Sequence, residues 1–168
     1  MTWKLVGWLF FFVWAILDCV DGNLARSRNQ CSQKGELWDA IGGYATMVLM
    51  YFAAGVVAFF DDNLFPYAGN YWMLILGGAT ALFSIFPRLV LHKKEIIEMG
   101  SGETVKALID KKSFSLPKAL LMNLISVIGL FQVFFLVCML THTLNWFILF
   151  YCIVNFSMMI LSIWKMVN

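Results

Sequence analysis

Apolar residues run through this chain in long unbroken stretches, not in the alternation of a half-buried strand or the one-sided stripe of a surface helix. Five stretches reach the roughly 20 residues that a helix needs to cross a hydrocarbon core. Polar punctuation separates them, and they predict helices over 3–20, 37–60, 71–91, 118–141 and 144–165. A closed β-barrel would need dyad alternation in segments of about ten residues, which these continuous runs lack. Backbone polar groups find no water in lipid, so helices are the remaining way to span it. In the connection at 92–117, Val105, Leu108 and Ile109 fall at helical spacing, with Lys106, Asp110, Lys111 and Lys112 off that face. This segment reads either as a short amphipathic helix on the membrane surface or as a solvated loop. The expected fold is an all-α integral membrane protein, one domain over 1–168: a bundle of about five transmembrane helices with a short amphipathic cytoplasmic helix.

Composition agrees with that picture and excludes others. The chain has 168 residues, 61% apolar and 13% charged, with a mean hydropathy of +0.80. A soluble domain carries about a quarter charged residues. Cys19, Cys31, Cys138 and Cys152 show neither a disulfide framework nor a zinc spacing, so they are expected to pack as small apolar side chains. No small-residue cleavage site follows the first apolar run, so that segment is expected to stay in the membrane.

The net charge of +2 says little, but its distribution orients the chain. Arg26, Arg28 and Lys34 follow the first helix; Arg88, Lys93, Lys94, Lys106, Lys111, Lys112 and Lys118 lie around the third connection; Lys165 lies near the C-terminus. The intervening loops DDNLFPYAGN and THTLN carry no Lys or Arg. Basic residues mark cytoplasmic loops, so 21–36 and 92–117 are expected to be cytoplasmic, with Lys4 on the opposite side. No nucleic-acid partner is expected.

Acidic residues are scarce, ten in all, and Asp18, Asp21, Glu36 and Asp39 crowd the first helical hairpin. Asp18 and Asp21 share a helix face, and a tight antiparallel pairing would bring Asp39 to them. Clustered carboxylates repel unless a cation or proton neutralises them. An all-oxygen donor set without His or Cys suits a hard cation such as Mg²⁺, Mn²⁺ or Ca²⁺. Gly22 and Gly35 flank the same connection and let backbone come close to a ligand. Together with Arg26 or Arg28, these features fit a phosphate or pyrophosphate substrate. The alternatives are that Asp18 and Asp21 only cap the first helix, or that the acids form the ion site of a small cation transporter.

Asp18-x-x-Asp21-Gly22-x-x-Ala25-Arg26, eight residues, then Gly35-x-x-x-Asp39 resembles the signature of the CDP-alcohol phosphotransferase family, D-x-x-D-G-x-x-A-R-x8-G-x-x-x-D-x-x-x-D. Seven of its eight fixed positions match with the same gap. The resemblance implies a membrane enzyme that transfers a substituted phosphoryl group from a CDP-alcohol donor to an alcohol acceptor, releasing CMP, in phospholipid or related synthesis. It implies a homodimer among membrane lipids, with the active site facing the cytoplasm and Mg²⁺ or Mn²⁺ as cofactor. Carried over, Asp18, Asp21 and Asp39 would be metal ligands, and Gly22, Ala25, Arg26 and Gly35 would line the CDP site. Arg88, Lys93 and Lys94 would hold an acceptor phosphate, or else serve only as topology signals.

Two features depart from the family. The fourth aspartate of the signature, its general base, falls at Gly43, and the transmembrane segment that the family carries before the helix ending in this motif is expected to be absent, since only 17 residues precede Asp18. Gly42 and Gly43 also read as a close helix-packing point. The alternative to an active enzyme is therefore a family member acting as a nucleotide-binding or structural membrane subunit. On that reading Gly43→Asp would create activity.

Overall fold

The computed structural model describes residues 2–28, 30, 32–61, 71–100 and 129–167. They form five helices: α1 (Thr2–Ser27), α2 (Gln33–Asp61), α3 (Tyr71–Gly100), α4 (Leu130–Leu140) and α5 (Leu144–Val167), with no strand among the described residues. Among the described residues, four stretches are long and apolar enough to cross a membrane: Thr2–Ser27, Lys34–Phe60, Tyr71–Val90 and Leu144–Trp164. The fold is an all-α membrane bundle.

Helix ends differ from those that the apolar runs suggest. α1 continues past position 20 to Ser27, and α2 starts at Gln33 rather than 37. Most of the connection expected over 21–36 is thus helical, and only 28–32 lie between α1 and α2. Hydropathy marks where the hydrocarbon ends, whereas a helix already nucleated propagates at one hydrogen bond per added residue. The backbone of α3 likewise runs on to Gly100, with Pro87 inside it. Proline removes the N–H that would have bonded the carbonyl one turn earlier. The amphipathic segment expected around 105–112 and residues 118–128 of the expected fourth helix lie outside the described residues.

The core forms between α2, α3, α4 and α5. Tyr51, Phe131, Phe147 and Tyr151 are each at most 2% exposed. Their rings meet edge-on or tilted, with centroids 5.4 Å apart for Tyr51–Phe131, 4.9 Å for Phe131–Tyr151 and 4.6 Å for Phe147–Tyr151. These are the offset arrangements that ring quadrupoles favour. Several buried polar groups find partners inside the bundle, as a lipid surround favours. The Asn155 Nδ2 donates to the Tyr51 hydroxyl at 3.2 Å and to the Tyr151 carbonyl at 2.8 Å. The Thr80 and Ser84 hydroxyls donate to the carbonyls of Leu76 and Ala81 in their own helix.

α2 packs chiefly on α3, and α3 on α5. The α2 and α3 backbones come close together at Gly55 and Gly77: a Cβ built on Gly77 would lie 2.8 Å from the Gly55 Cα. α1 sits at the margin, with Ala15 its one buried side chain among the described residues. Leu5, Trp8 and Phe11 lean on the core, and the Trp8 indole N–H donates to the Gln132 carbonyl at 3.1 Å. Of the cysteines, Cys138 packs in the core, Cys152 is half-buried and Cys19 is exposed. Cys31 lies outside the described residues.

Candidate active site

The turn between α1 and α2 is tight because both flanking helix ends are tied. The Arg28 amide donates to the Leu24 carbonyl at 3.0 Å and the Gln30 amide to the Ala25 carbonyl at 3.0 Å. Ser32 caps α2: its Oγ accepts from the Gly35 amide at 3.0 Å. A Cβ at Gly35 would stand 3.2 Å from that oxygen, so the glycine keeps the cap unobstructed. Removing such a cap costs about 1 kcal/mol. Ser32→Ala is therefore expected to lower the thermal midpoint of the detergent-solubilised protein by a few degrees, and Ser32→Asp, which keeps the acceptor, to hold it.

This turn sets the start of α2 beside the end of α1. Carboxylate oxygens of Asp18, Asp21 and Asp39 all lie within 4.8 Å of one another; Asp18 is half-buried, and Asp21 and Asp39 are exposed. The three expected ligands are thus brought together, two from one helix and one from the next. Ligand oxygens about 2.1 Å from a cation are at most about 4.2 Å apart. Neighbouring ligands of one such cation stand about 3 Å apart, so the cluster would close by about 1 to 2 Å, which side-chain torsions supply. Its donors, oxygen only, fit a hard divalent cation and not zinc.

Gly22 and Arg26 lie one turn apart on α1. The Arg26 guanidinium folds back over the glycine: a Cβ at Gly22 would stand 3.4 Å from its Nη2. The same Nη2 donates to the Asn23 Oδ1 at 3.1 Å. Ala25 is half-buried nearby on the helix. The small residues leave the C-terminal extension of α1 low, with one guanidinium held along it. Asn23 and Ser32 escaped the sequence reading, although a serine three residues before a glycine at a helix start is a recognisable cap signal.

On α2, Gly35, Asp39 and Gly43 follow at intervals of four and so share one face. Gly42 and Gly43 do not meet backbone. A Cβ at Gly42 would face the Trp14 ring at 3.9 Å, and one at Gly43 the Arg88 Nη1 at 3.9 Å. Arg88, from α3, also stands over the Tyr44 ring, its Cζ 5.7 Å from the centroid. The structure therefore places Arg88 against α2 one turn beyond Asp39. Lys93 and Lys94 follow on α3, where the backbone alone is described.

A family model described as CDP-alcohol phosphatidyltransferase matches residues 1–154. No curated protein and no solved structure matches the chain.

Proposed function

Because the chain belongs to the CDP-alcohol phosphatidyltransferase family, we propose that it transfers a substituted phosphoryl group from a CDP-alcohol to a second alcohol and releases CMP, in phospholipid or related synthesis. The observation that carries this reading is the convergence of Asp18, Asp21 and Asp39 from two helices within 4.8 Å. Mg²⁺ or Mn²⁺ held by these carboxylates would neutralise charge on the diphosphate and on the departing CMP. Arg26, steadied by Asn23, lies along the same helix and supplies a forked cationic donor to a phosphate or to the nucleotide. Gly22, Ala25 and Gly35 keep side-chain bulk away from the CDP. The acceptor hydroxyl oxygen attacks the phosphorus that bears the donor alcohol; that phosphorus–oxygen bond forms as the one to CMP breaks, and the hydroxyl proton is released to water. Arg88, Lys93 and Lys94 would hold an acceptor phosphate.

The positive-inside rule puts this end of the bundle in the cytoplasm, where nucleotide donors are met. In keeping with its family the protein would work as a homodimer in the lipid bilayer. Purified protein given a CDP-alcohol, an alcohol acceptor and Mg²⁺ or Mn²⁺ is expected to form CMP and the new phosphodiester in equal amounts, and neither when the metal is chelated. No CMP above a metal-free control across the common acceptor alcohols would reject the reading.

Gly43 favours one second reading, a nucleotide-binding or structural subunit without turnover. It predicts that CMP and a CDP-alcohol bind, metal-dependently, while no phosphodiester forms.

A further inference from the structure

The corner of the site beside Gly43 is occupied from another helix. The glycine presents no side chain, and the nearest atom to a Cβ built there is the Arg88 Nη1, at 3.9 Å. The Arg88 guanidinium rests over the Tyr44 ring at 5.7 Å, within the distance at which a ring face attracts a cation. Two successive residues of α2 thus make a seat for one side chain of α3: Gly43 supplies room and Tyr44 supplies the face. Arg88 is itself exposed, so the guanidinium keeps donors for a ligand. The seat lies on α2 one turn beyond Asp39, the carboxylate that α2 contributes to the acidic cluster.

We propose that Arg88 is the functional occupant of the corner beside Gly43: seated on Tyr44, it pairs with an anionic oxygen of the substrate next to the Asp18–Asp21–Asp39 cluster. A carboxylate placed at position 43 would pair with Arg88 instead of joining that cluster. The oxygens of such a carboxylate lie about 2.4 Å beyond Cβ, so they reach a guanidinium nitrogen 3.9 Å from that Cβ without any movement of the helices. A bidentate carboxylate–guanidinium pair is among the strongest side-chain pairings, and it leaves the carboxylate a poor proton acceptor. Gly43→Asp alone would therefore not create a base or a fourth metal ligand. This inference rests on the function proposed above, since it takes Asp39 and its partners as the metal site.

The test compares wild type, Gly43→Asp, Arg88→Gln and the double variant in detergent, with Gly43→Asn as the uncharged control of the same size. Mn²⁺ alone is titrated by electron paramagnetic resonance, a readout that needs no turnover. Mn²⁺ affinity is expected to stay within about threefold of wild type in Gly43→Asp and Gly43→Asn, and to tighten about tenfold when Arg88→Gln is added to Gly43→Asp. Tightening in Gly43→Asp alone, or no difference between it and the double variant, would overturn the proposal. In turnover, Arg88→Gln is expected to raise one KM about tenfold with a smaller change in kcat, and to weaken inhibition by inorganic phosphate. A raised CDP-alcohol KM assigns the anionic oxygen to the donor and a raised acceptor KM assigns it to the acceptor; no change in either overturns it. A wild type without turnover but with the expected Mn²⁺ pattern would remove the proposed reaction and leave the Arg88–Gly43 pair standing.

Discussion

Asp39→Ala is expected to lower kcat/KM for CMP release by about 10³-fold or more, which is about 4 kcal/mol of transition-state stabilisation. Asp39 is the one member of the cluster that comes from α2; Asp18 and Asp21 both come from α1. Without it, two carboxylates three residues apart on one helix remain, and nothing from the opposing helix closes the site around a cation. Asp39→Asn keeps the size and one neutral oxygen, so its loss should be smaller and partly recovered at high Mn²⁺. The same change relieves repulsion among three crowded carboxylates. The metal-free Asp39→Ala protein should therefore melt no lower than wild type, which separates loss of function from loss of fold. Activity within tenfold of wild type would exclude Asp39 as a ligand that the chemistry needs.

Gly77→Leu is expected to destabilise the bundle by about 3 kcal/mol, while a change at the adjacent Gly78 is tolerated. A Cβ at Gly77 would stand 2.8 Å from the Gly55 Cα, 3.0 Å from the Tyr51 carbonyl oxygen and 3.2 Å from the Gly55 nitrogen. All three are backbone atoms, so no side chain can swing aside, and α2 and α3 would have to part along their main interface. A Cβ at Gly78 meets nothing within 4 Å, and alanine there gains about 1 kcal/mol of helix propensity. Gly78→Ala should hold or raise the thermal midpoint in detergent, and Gly77→Leu should lower it or prevent recovery of a monodisperse protein. Equal behaviour of the two variants would mean that the crossing is not where the glycines place it.

These two results probe features of unequal legibility. The Asp18, Asp21 and Asp39 cluster could be anticipated, because acids are rare in so apolar a chain and their spacing follows helix periodicity. The crossing at Gly55 and Gly77 could not. Several glycines lie on α2 and α3, and which pair meets depends on helix rotation and crossing angle, quantities that a run of apolar residues does not encode. Gly42 and Gly43 illustrate the point: they look like a packing notch, yet they face the side chains of Trp14 and Arg88. The extent of α1 was hidden for another reason. Asp18 and Asp21 signal the edge of the lipid, and the sequence beyond them is polar, so a hydropathy reading ends the helix there although its backbone ladder continues to Ser27. The placement of Gly22, Ala25 and Arg26 on a helix, and not in a loop, follows from that continuation.

α1 buries only Ala15 among its described side chains, whereas α2 sits deep in the bundle through Met47, Met50, Tyr51 and Ala54. The acidic cluster therefore joins the most loosely held helix to one of the most firmly held. Repulsion among its carboxylates acts along that weak seam and pushes α1 outward. A cation bound there would act along the same seam with the opposite sign. Whatever occupied the cluster would also be a fastener: its affinity would be measured partly in the work of drawing one helix against another, and the grip of α1 on the bundle would rise and fall with its concentration.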